Sequence, residues 1–401
     1  MEIRKLAAFW LAQELALGPA GLSLIRECFG DEKTLFLASR DEIDTRIKTF
    51  RWNWNNNAGT TVDYNDNSHD GNRDKHIENN NSYYIEEKAS RRFFNSKTIE
   101  KLLDITLKKD ILSEYKRVSK NEIKFYRKSD PEFPEKLRGI PNPPEQLFVR
   151  GELPDPDSVA IGIVGARNCT PYGRDMARMF SFRLAQAGVA VISGMARGID
   201  SWSHRGAIEA DGLTYAVLGC GVEICFPTTN SKLYREIPEH GGLISEYPTK
   251  FGPFAQNFPV RNRIISGLSD GILVVEARIR SGSLITADAA LDQGKDVFVI
   301  PGRIGDELSV GCNRLIRQGA IPVLTPEDIL EYYSIDVKPE TSQELTSDER
   351  QIYNLIGTVP ISLTDLADAS QGTLANTIRV VLDLKKRRLI RESSRDRYIR
   401  M

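Results

Sequence analysis

Three short segments rich in glycine, serine and arginine contain the residues best suited to binding an anion. They are Gly165-Ala166-Arg167, the turn with Ser193, Gly194 and Arg197, and Ser281-Gly282-Ser283. Each follows an apolar run and precedes a stretch with helical periodicity, so backbone N–H groups at a helix N-terminus would face the ligand. A nearby arginine adds a charge-assisted, forked hydrogen bond. We predict phosphate binding here; glycine turns beside surface arginines are the alternative that the spacing leaves open.

The segment from 258 to 263 combines an aromatic ring with cationic side chains. Its relevant residues are Phe258, Arg261, Asn262 and Arg263. Proteins that bind single-stranded nucleic acid use this pairing, because a ring stacks on an exposed base while arginines hold the flanking phosphates. The sequence therefore predicts a single-strand contact at this segment. The alternative is that Phe258 is a core residue and that the arginines pair with Glu246 or Glu276.

The other polar residues do not predict catalysis. We expect Asp200 to cap the helix that begins near Ser201, and His204 has no second histidine or cysteine at metal-ligand spacing. The GxGxxG fingerprint of dinucleotide sites is absent, and no acidic residue ends the second predicted strand. We therefore predict no catalytic residue, no metal and no cofactor.

The composition is that of a globular protein in a reducing compartment. The chain has 401 residues, enough for two or three domains, and a net charge of −1, so any nucleic-acid site must be a local patch. Its five cysteines follow neither a disulfide scaffold nor zinc-site spacing. We recognise no signal peptide and no apolar run of the roughly 20 residues that a membrane span needs. We expect a cytoplasmic protein without membrane contact.

Short apolar runs alternate with helical segments between residues 159 and 324 and must position the polar segments. The runs are Val159–Val164, Val189–Ile192, Thr214–Leu218, Leu243–Ser245, Ile272–Val275, Val297–Ile300 and Ile321–Leu324. Near-continuous apolar runs are typical of parallel strands that crossover helices cover on both faces. Ligands of such sheets bind outside the carboxyl ends of the strands, where the polar segments lie. We predict an α/β fold with an extended Rossmann-like parallel sheet over residues 113–330.

A small helical domain is predicted before the sheet. Residues 1–112 show helical periodicity around an asparagine-rich insertion near 53–82. This insertion has too few aliphatic residues to bury an apolar face, so we expect it to be disordered.

A second small domain is predicted after a linker at 331–344. Residues 345–401 contain three helical segments and a hairpin, an order typical of a winged helix. The third helix is expected to place Leu374, Ile378, Val381 and Leu382 on one apolar stripe. Basic residues predict a second nucleic-acid or partner surface, with a solvated basic face as the alternative: Lys385, Lys386, Arg387, Arg388, Arg391, Arg395, Arg397 and Arg400.

A series of sequence strings resembles the DNA-processing protein A (DprA/Smf) family. In chain order they are Asp130–Leu137, VGAR, SGMARGID, LGCGVEICFP, FPVRNRIISGLSD, EARIRSGSLITADAA, VIPGR and GCNRLIRQGA. One such string is weak evidence, whereas all of them in order over residues 130–320 are specific. The resemblance implies an extended Rossmann-like fold and binding of single-stranded DNA. It also implies a homodimer that loads the RecA recombinase onto incoming DNA in natural transformation.

The resemblance also implies roles for particular residues. The phosphate-gripping arginine of the family falls on Arg167, its aromatic and basic segment on 258–263, and its SGS loop on 281–283. Lys232 is expected to be a further contact to the DNA backbone. Ala166 replaces the serine usual in the family, which implies one hydroxyl donor fewer. The N-terminal region is similar to the small SAM-like domain of the family, although the asparagine-rich insertion is not part of that pattern.

Two other classes of function stay open at this point. A nucleotide-processing enzyme of the phosphoribohydrolase type would need a PGGxGTxxE signature, which residues 266–270 and 281–283 do not supply. A nucleotide-sensing regulator would read duplex DNA with its winged helix and bind a mononucleotide tightly. Rossmann-like sheets host many functions, so fold analogy does not decide between these classes.

Overall fold

Helices fill most of the first of the two units into which the chain folds. The computed structural model describes residues 2–15, 19–58, 96–335, 345–357, 359–387 and 389–400. The first unit contains Met1–Gly151, Leu218–Ile224 and Ile244–Asn257. Its helices are α1 (Ile3–Leu15), α2 (Pro19–Phe29), α3 (Glu32–Leu37), α4 (Arg40–Ala58), α5 (Ser96–Leu103), α6 (Ile105–Lys120) and α7 (Glu135–Arg138).

The asparagine-rich segment begins inside a helix. Because α4 continues to Ala58, residues 53–58 are helical rather than disordered as the composition predicted. The rest of the predicted insertion, residues 59–82, lies outside the described residues.

Aromatic packing builds the core of the first unit. Phe9 on α1 meets Phe125 and Phe148 edge-on, with ring centroids 5.3 and 6.0 Å from its own. These two rings lie on an antiparallel pair of strands that the sequence analysis did not predict, β1 (Ile123–Arg127) and β2 (Gln146–Gly151). Edge-to-face pairs of this kind add about 0.5–1.5 kcal/mol each beyond the burial of apolar area. The pair is therefore an integral part of this core.

A parallel sheet forms the centre of the second unit, which contains Glu152–Val217, Cys225–Leu243 and Phe258–Met401. Its strands are β3 (Ala160–Val164), β4 (Ala190–Ser193), β5 (Thr214–Val217), β6 (Gly241–Ser245, which ends in the first unit), β7 (Gly271–Val274), β8 (Asp296–Val299) and β9 (Ile321–Pro322). The pairs β3–β4, β3–β7, β4–β5, β7–β8 and β8–β9 are parallel. All seven predicted strands are present, and the predicted α/β Rossmann-like fold is confirmed.

The order of these strands reverses at β3. Strands β4 and β5 follow on one side of β3, whereas β7, β8 and β9 follow on the other. In doubly wound sheets ligands bind at such a reversal, outside the carboxyl ends of the strands on either side. A ligand-binding site is therefore expected at the carboxyl ends of β3, β4 and β7.

Helices cover the sheet of the second unit. They are α8 (Pro171–Gln186), α9 (Ile199–Glu209), α10 (Ser231–Glu236), α11 (Asn257–Leu268), α12 (Gly282–Asp292), α13 (Val310–Arg317) and α14 (Pro326–Tyr332). Helix α9 approaches α8 so closely that a Cβ atom on Gly206 would lie 2.4 Å from the carbonyl oxygen of Arg178. Among the described residues, no helix combines the length and the apolarity needed to cross a lipid bilayer.

The C-terminal residues form three helices and a small antiparallel sheet. The elements are α15 (Ser347–Leu355), β10 (Ile361–Ser362), α16 (Leu363–Ser370), α17 (Leu374–Lys386), β11 (Ile390–Ser394) and β12 (Arg397–Arg400). The strand order is β10-β12-β11. The predicted helices and hairpin are present, whereas the assignment of this domain as a winged helix stays a prediction. Most of the predicted linker, residues 336–344, lies outside the described residues.

The buried face of α17 differs from the predicted stripe. Leu374, Ile378 and Leu382 are exposed, while the core of this domain contains Val380, Val381 and Leu384. The helix has two apolar stripes about a third of a turn apart at 3.6 residues per turn, and periodicity alone does not show which of them packs on the domain. Of the four residues on the predicted stripe, only Val381 packs in the core of this domain.

Candidate functional site

The loops that follow β3 and β4 touch each other through their backbones. The N–H of Ile199 donates to the carbonyl oxygen of Ala166 over 3.2 Å. Gly198 has a φ of +78°, and a Cβ atom there would lie 2.3 Å from the same oxygen. Only glycine fits both this conformation and this contact. Ala166 is buried, so its main contribution is to hold the two loops together.

Arg167 follows Ala166 in the loop after β3, and its exposed side chain lies beside the aromatic pair Phe258 and Phe226. Its guanidinium carbon is 5.9 Å from the ring centroid of Phe258. The ring of Phe258 is half-buried and tilts against that of Phe226, with the centroids 5.5 Å apart. Phe226 is 42% exposed, so one ring of the pair remains open to a ligand. The sequence analysis missed Phe226, although it stands in the string LGCGVEICFP that was used for the resemblance.

Arg261 lies in the interior, unlike Arg167. It is 4% exposed, and its guanidinium donates to the carbonyl oxygens of Gly194, at 2.9 Å, and Val217. These oxygens belong to the turn after β4 and to the last residue of β5. Arg261 therefore positions two strand ends, and its burial does not fit the predicted direct contact with phosphate.

Asp200 accompanies Arg261 below the surface. Its carboxylate accepts a hydrogen bond from the N–H of Ala196 over 3.3 Å. Burial raises the pKa of Asp200, while the positive charge of Arg261 opposes that rise. The predicted capping role was wrong, because the N-cap of α9 is Gly198 and Asp200 is the second residue of the helix.

The turn after β4 presents one side chain to solvent. The hydroxyl of Ser193 donates to the carbonyl oxygen of Ile163 over 2.6 Å. The carbonyl oxygen of Gly194 accepts a hydrogen bond from the guanidinium of Arg261. Arg197 is exposed. Of the residues predicted here, Arg197 is thus placed to meet a ligand, whereas Ser193 and Gly194 shape the turn.

The turn before α12 is tied to α11. Asn262 donates to the carbonyl oxygen of Gly282 over 3.2 Å, and the hydroxyls of Ser281 and Ser283 lie 2.8 Å apart. Ser281 is the N-cap of α12. The hydroxyls of the two serines contact each other, whereas Arg263 is half-exposed and Arg280, just before this turn, is exposed.

Two further residues complete this edge of the sheet. Lys232 on α10 is exposed and lies 3.5 Å from the carboxylate of Glu236. Glu276 is buried and accepts hydrogen bonds from the backbone N–H of Thr170, at 2.9 Å, and from its hydroxyl. Glu276 therefore pairs with Thr170 and not with the arginines of segment 258–263.

His204 is buried inside α9 and has a structural role. Its Nδ1 is 2.7 Å from the hydroxyl of Thr214, which itself donates to the carbonyl oxygen of Val191. This contact gives the buried imidazole a polar partner on β5. Across the described residues, no group of three or more histidine, cysteine, aspartate or glutamate side chains is arranged to hold a metal ion.

His204 should make stability depend on pH. Burial lowers its pKa to about 3, whereas an unfolded histidine titrates near pH 6.5. Below about pH 6.5 the unfolded chain binds a proton that the folded chain rejects, so the free energy of unfolding should fall by about 1.4 kcal/mol per pH unit on acidification. Urea unfolding of the wild type and of His204→Gln between about pH 7 and about pH 5 measures this. Equal pH slopes for the two proteins would contradict the assignment.

The basic residues of the C-terminal domain are mostly engaged within the second unit. Arg391 is buried and pairs with Asp175 at 3.0 Å, and Arg387 pairs with Glu349 at 3.2 Å. Further partners are Glu392 for Lys385, Asp383 for Lys386, the Pro360 carbonyl for Arg397 and the Ile356 and Tyr353 carbonyls for Arg400. Arg388 lies outside the described residues, and Arg395 is exposed. A second basic surface therefore has less free charge than the sequence suggested.

Comparisons with known proteins agree with the resemblance. The family model described as DNA recombination-mediator protein A matches residues 124–334, which is more than half of the chain. Protein Smf of Escherichia coli is 48% identical over 205 residues, or 51% of this chain and 55% of that protein. The DNA processing protein DprA of Bacillus subtilis is 39% identical over 222 residues, or 55% of this chain and 74% of that protein.

A solved structure extends the likeness to the fold. The X-ray structure of DNA processing protein A from Streptococcus pneumoniae is similar with a TM-score of 0.50 and 33% identity, covering 58% of this chain and 84% of that one. The matched region spans little more than half the length of the Escherichia coli relative. Since the family model matches more than half of the chain, including all the strand-end loops, the chain belongs to the DNA recombination-mediator protein A (DprA/Smf) family.

Proposed function

We propose that this protein binds single-stranded DNA along the carboxyl ends of β3, β4 and β7, without carrying out chemistry on it. One observation supports this most directly: the exposed guanidinium of Arg167 lies 5.9 Å from the ring centroid of Phe258, which packs on the half-open ring of Phe226. A cation beside an accessible aromatic pair matches what a nucleotide offers, a phosphate beside a flat base.

The distribution of charge supports a polyanionic ligand. The carboxylates of Asp200 and Glu276 are buried, and both accept hydrogen bonds from backbone N–H groups. Cationic side chains of the predicted site reach solvent at Arg167, Arg197 and Lys232, while Arg263 is half-exposed and Lys232 lies 3.5 Å from the carboxylate of Glu236. The net charge of the chain is −1, so attraction of DNA depends on this local arrangement.

The aromatic pair favours a single strand over a duplex. A base stacked inside a duplex cannot lie on the ring of Phe226, whereas an unpaired base presents its face to it. No side chain in these loops is placed to read base edges in a groove, so we expect little dependence on sequence. The same geometry gives no specific support to the phosphoribohydrolase or regulator alternatives.

Fluorescence anisotropy tests the proposal. A labelled oligo-dT and a duplex of equal length are titrated with the protein at several salt concentrations. We expect tighter binding of the single strand and a slope of log K against log salt of about −3, since each of the four cations of the site would contribute about −0.7 on single strands. Preference for the duplex, or a tight mononucleotide site, would contradict it.

Membership of the family adds partners to the proposal. We propose that a homodimer delivers the bound strand to the RecA recombinase during natural transformation, in the cytoplasm, where the five free cysteines would stay reduced. Sedimentation of the DNA-free chain as a 45.1 kDa monomer at micromolar concentration would contradict the dimer. Unchanged assembly of RecA on coated single strands would contradict the delivery role.

A further inference from the structure

A tryptophan on α9 forms an arginine-stacked surface beside the proposed strand-end site. Trp202 is half-buried, and the guanidinium carbon of Arg205 lies 4.3 Å from its ring centroid, with that of Arg174 at 5.7 Å. Residues three apart face the same side of a helix, so Trp202 and Arg205 present one flat surface. Such stacked pairs are surfaces on which an unpaired base can lie.

The pair lines an open cavity of about 480 Å³. The cavity is also lined by Arg178, Asn230, Lys232 and Glu209. This volume lies in the range of about 300–1,000 Å³ that is usual for small-molecule sites and is enough for a nucleotide. The cavity therefore has both the size and the aromatic wall that a base requires.

The charges around the cavity leave one cation in excess. Arg178 pairs with Glu209, and Lys232 lies 3.5 Å from Glu236. Within the described part of the chain, no carboxylate lies at salt-bridge distance from Arg205, whose contact is the ring of Trp202. An incoming phosphate would meet this excess positive charge.

The cavity is joined to the strand-end loops. The side-chain amide of Asn230 donates to the carbonyl oxygens of Met195 and Ala196, at 2.9 and 3.3 Å. These two residues precede the exposed Arg197 in the turn after β4. Trp202 lies four residues after Gly198 on α9, about 6 Å along the helix axis. The cavity therefore begins about one helical turn from the loop that contains Arg197.

We propose that Trp202 and Arg205 form a second nucleotide subsite, which binds one base and its phosphate where the single strand leaves the strand-end loops. This inference rests on the proposed function, because it extends the path of the same strand. Trp202 and Arg205 lie outside every segment that the sequence analysis assigned to nucleic acid.

Binding as a function of strand length tests the subsite. Labelled oligo-dT strands of about 4 to about 16 nucleotides are titrated with the full chain and its variants. The shortest strand occupies the strand-end site, so Trp202→Ala should leave its affinity within about twofold. For the longest strand we expect Trp202→Ala to lose about fivefold or more, the usual effect of removing one stacked base. Trp202→Phe should restore most of that affinity.

Arg205 gives an independent readout. Arg205→Ala should weaken the longest strand and reduce the slope of log K against log salt by about 0.7. Arg183→Ala is the matched control, because this arginine on α8 pairs with Glu327 at 3.1 Å and does not line the cavity. Its salt slope should equal that of the wild type.

A covalent measurement does not depend on how the variants fold. Oligo-dT with 5-iodouracil at successive positions is irradiated on the wild-type protein, and the cross-linked peptides are sequenced. We expect an adduct on Trp202 from positions near one end of the strand. Loss of affinity that is equal at all lengths, or no adduct on Trp202, overturns the subsite. Failure of the shortest strand to bind the wild type overturns the proposed function itself, which separates the two failures.

Discussion

Replacing Arg167 by alanine is expected to weaken binding of single-stranded DNA about ten- to a hundredfold, because a hydrogen bond to a charged group contributes about 1.5–3 kcal/mol. The loss should be equal for oligo-dT and oligo-dA, since a phosphate contact carries no sequence information. The slope of log K against log salt should fall by about 0.7 at the same time. Anisotropy titrations at several salt concentrations measure all three quantities.

Two further variants make this result interpretable. Arg167→Lys keeps the charge and loses the planar fork, so its affinity should lie between those of the wild type and the alanine variant. Arg183→Ala removes an arginine that is paired with Glu327, and its affinity should be unchanged. Arg167 is exposed, so its removal should not alter the urea midpoint. If Arg167→Ala binds as the wild type does, the strand-end site is in the wrong place.

The parallel sheet was predictable because strands that are buried on both faces have near-continuous apolar sequences. Runs such as Val159–Val164 are apolar at nearly every position, and only strands covered on two sides need that. Strands β1 and β2 do not have a run that is apolar at nearly every position. They flank the segment 130–144, whose five prolines interrupt any regular apolar pattern.

The exposed and the buried arginines of the site could not be separated by residue type. The segment 258–263 lies in a helix, because a proline is tolerated in the first turn of a helix, where α11 places Pro259. Once the segment is helical, Arg261 shares a stripe with Ile264, Ile265 and Leu268, all of which are buried. This periodicity was present in the sequence and could have indicated that Arg261 faces inward.

Phe226 illustrates a different limit. Its string ends in Phe226-Pro227, and nothing in the spacing relates it to Phe258, which lies 32 residues further along the chain. The two rings meet because the segments after β5 and β6 return to the same sheet edge. Contacts of this kind depend on the tertiary arrangement, and a single sequence does not contain them.

Arg261→Ala is expected to lower the free energy of unfolding by about 3–5 kcal/mol, the usual cost of removing one partner from a buried charged network. The carbonyl oxygens of Gly194 and Val217 would lose their donor, and the buried carboxylate of Asp200 would lose its neighbouring positive charge. Urea unfolding at neutral pH measures this loss. Arg263→Ala, two residues along the same helix and half-exposed, is the matched control and should cost about 1 kcal/mol or less.

The same substitution should also weaken DNA binding, for an indirect reason. Arg261 fixes the turn that leads to Arg197 and Gly198, and Gly198 in turn touches the Arg167 loop. A double variant with Asp200→Ala separates the two roles. Removing both members of a charged network costs less than the sum of the single losses, so the double variant should be more stable than additivity predicts. If Arg261→Ala instead unfolds at the wild-type urea concentration and still loses DNA binding, Arg261 contacts phosphate directly, as its place in the sequence first suggested.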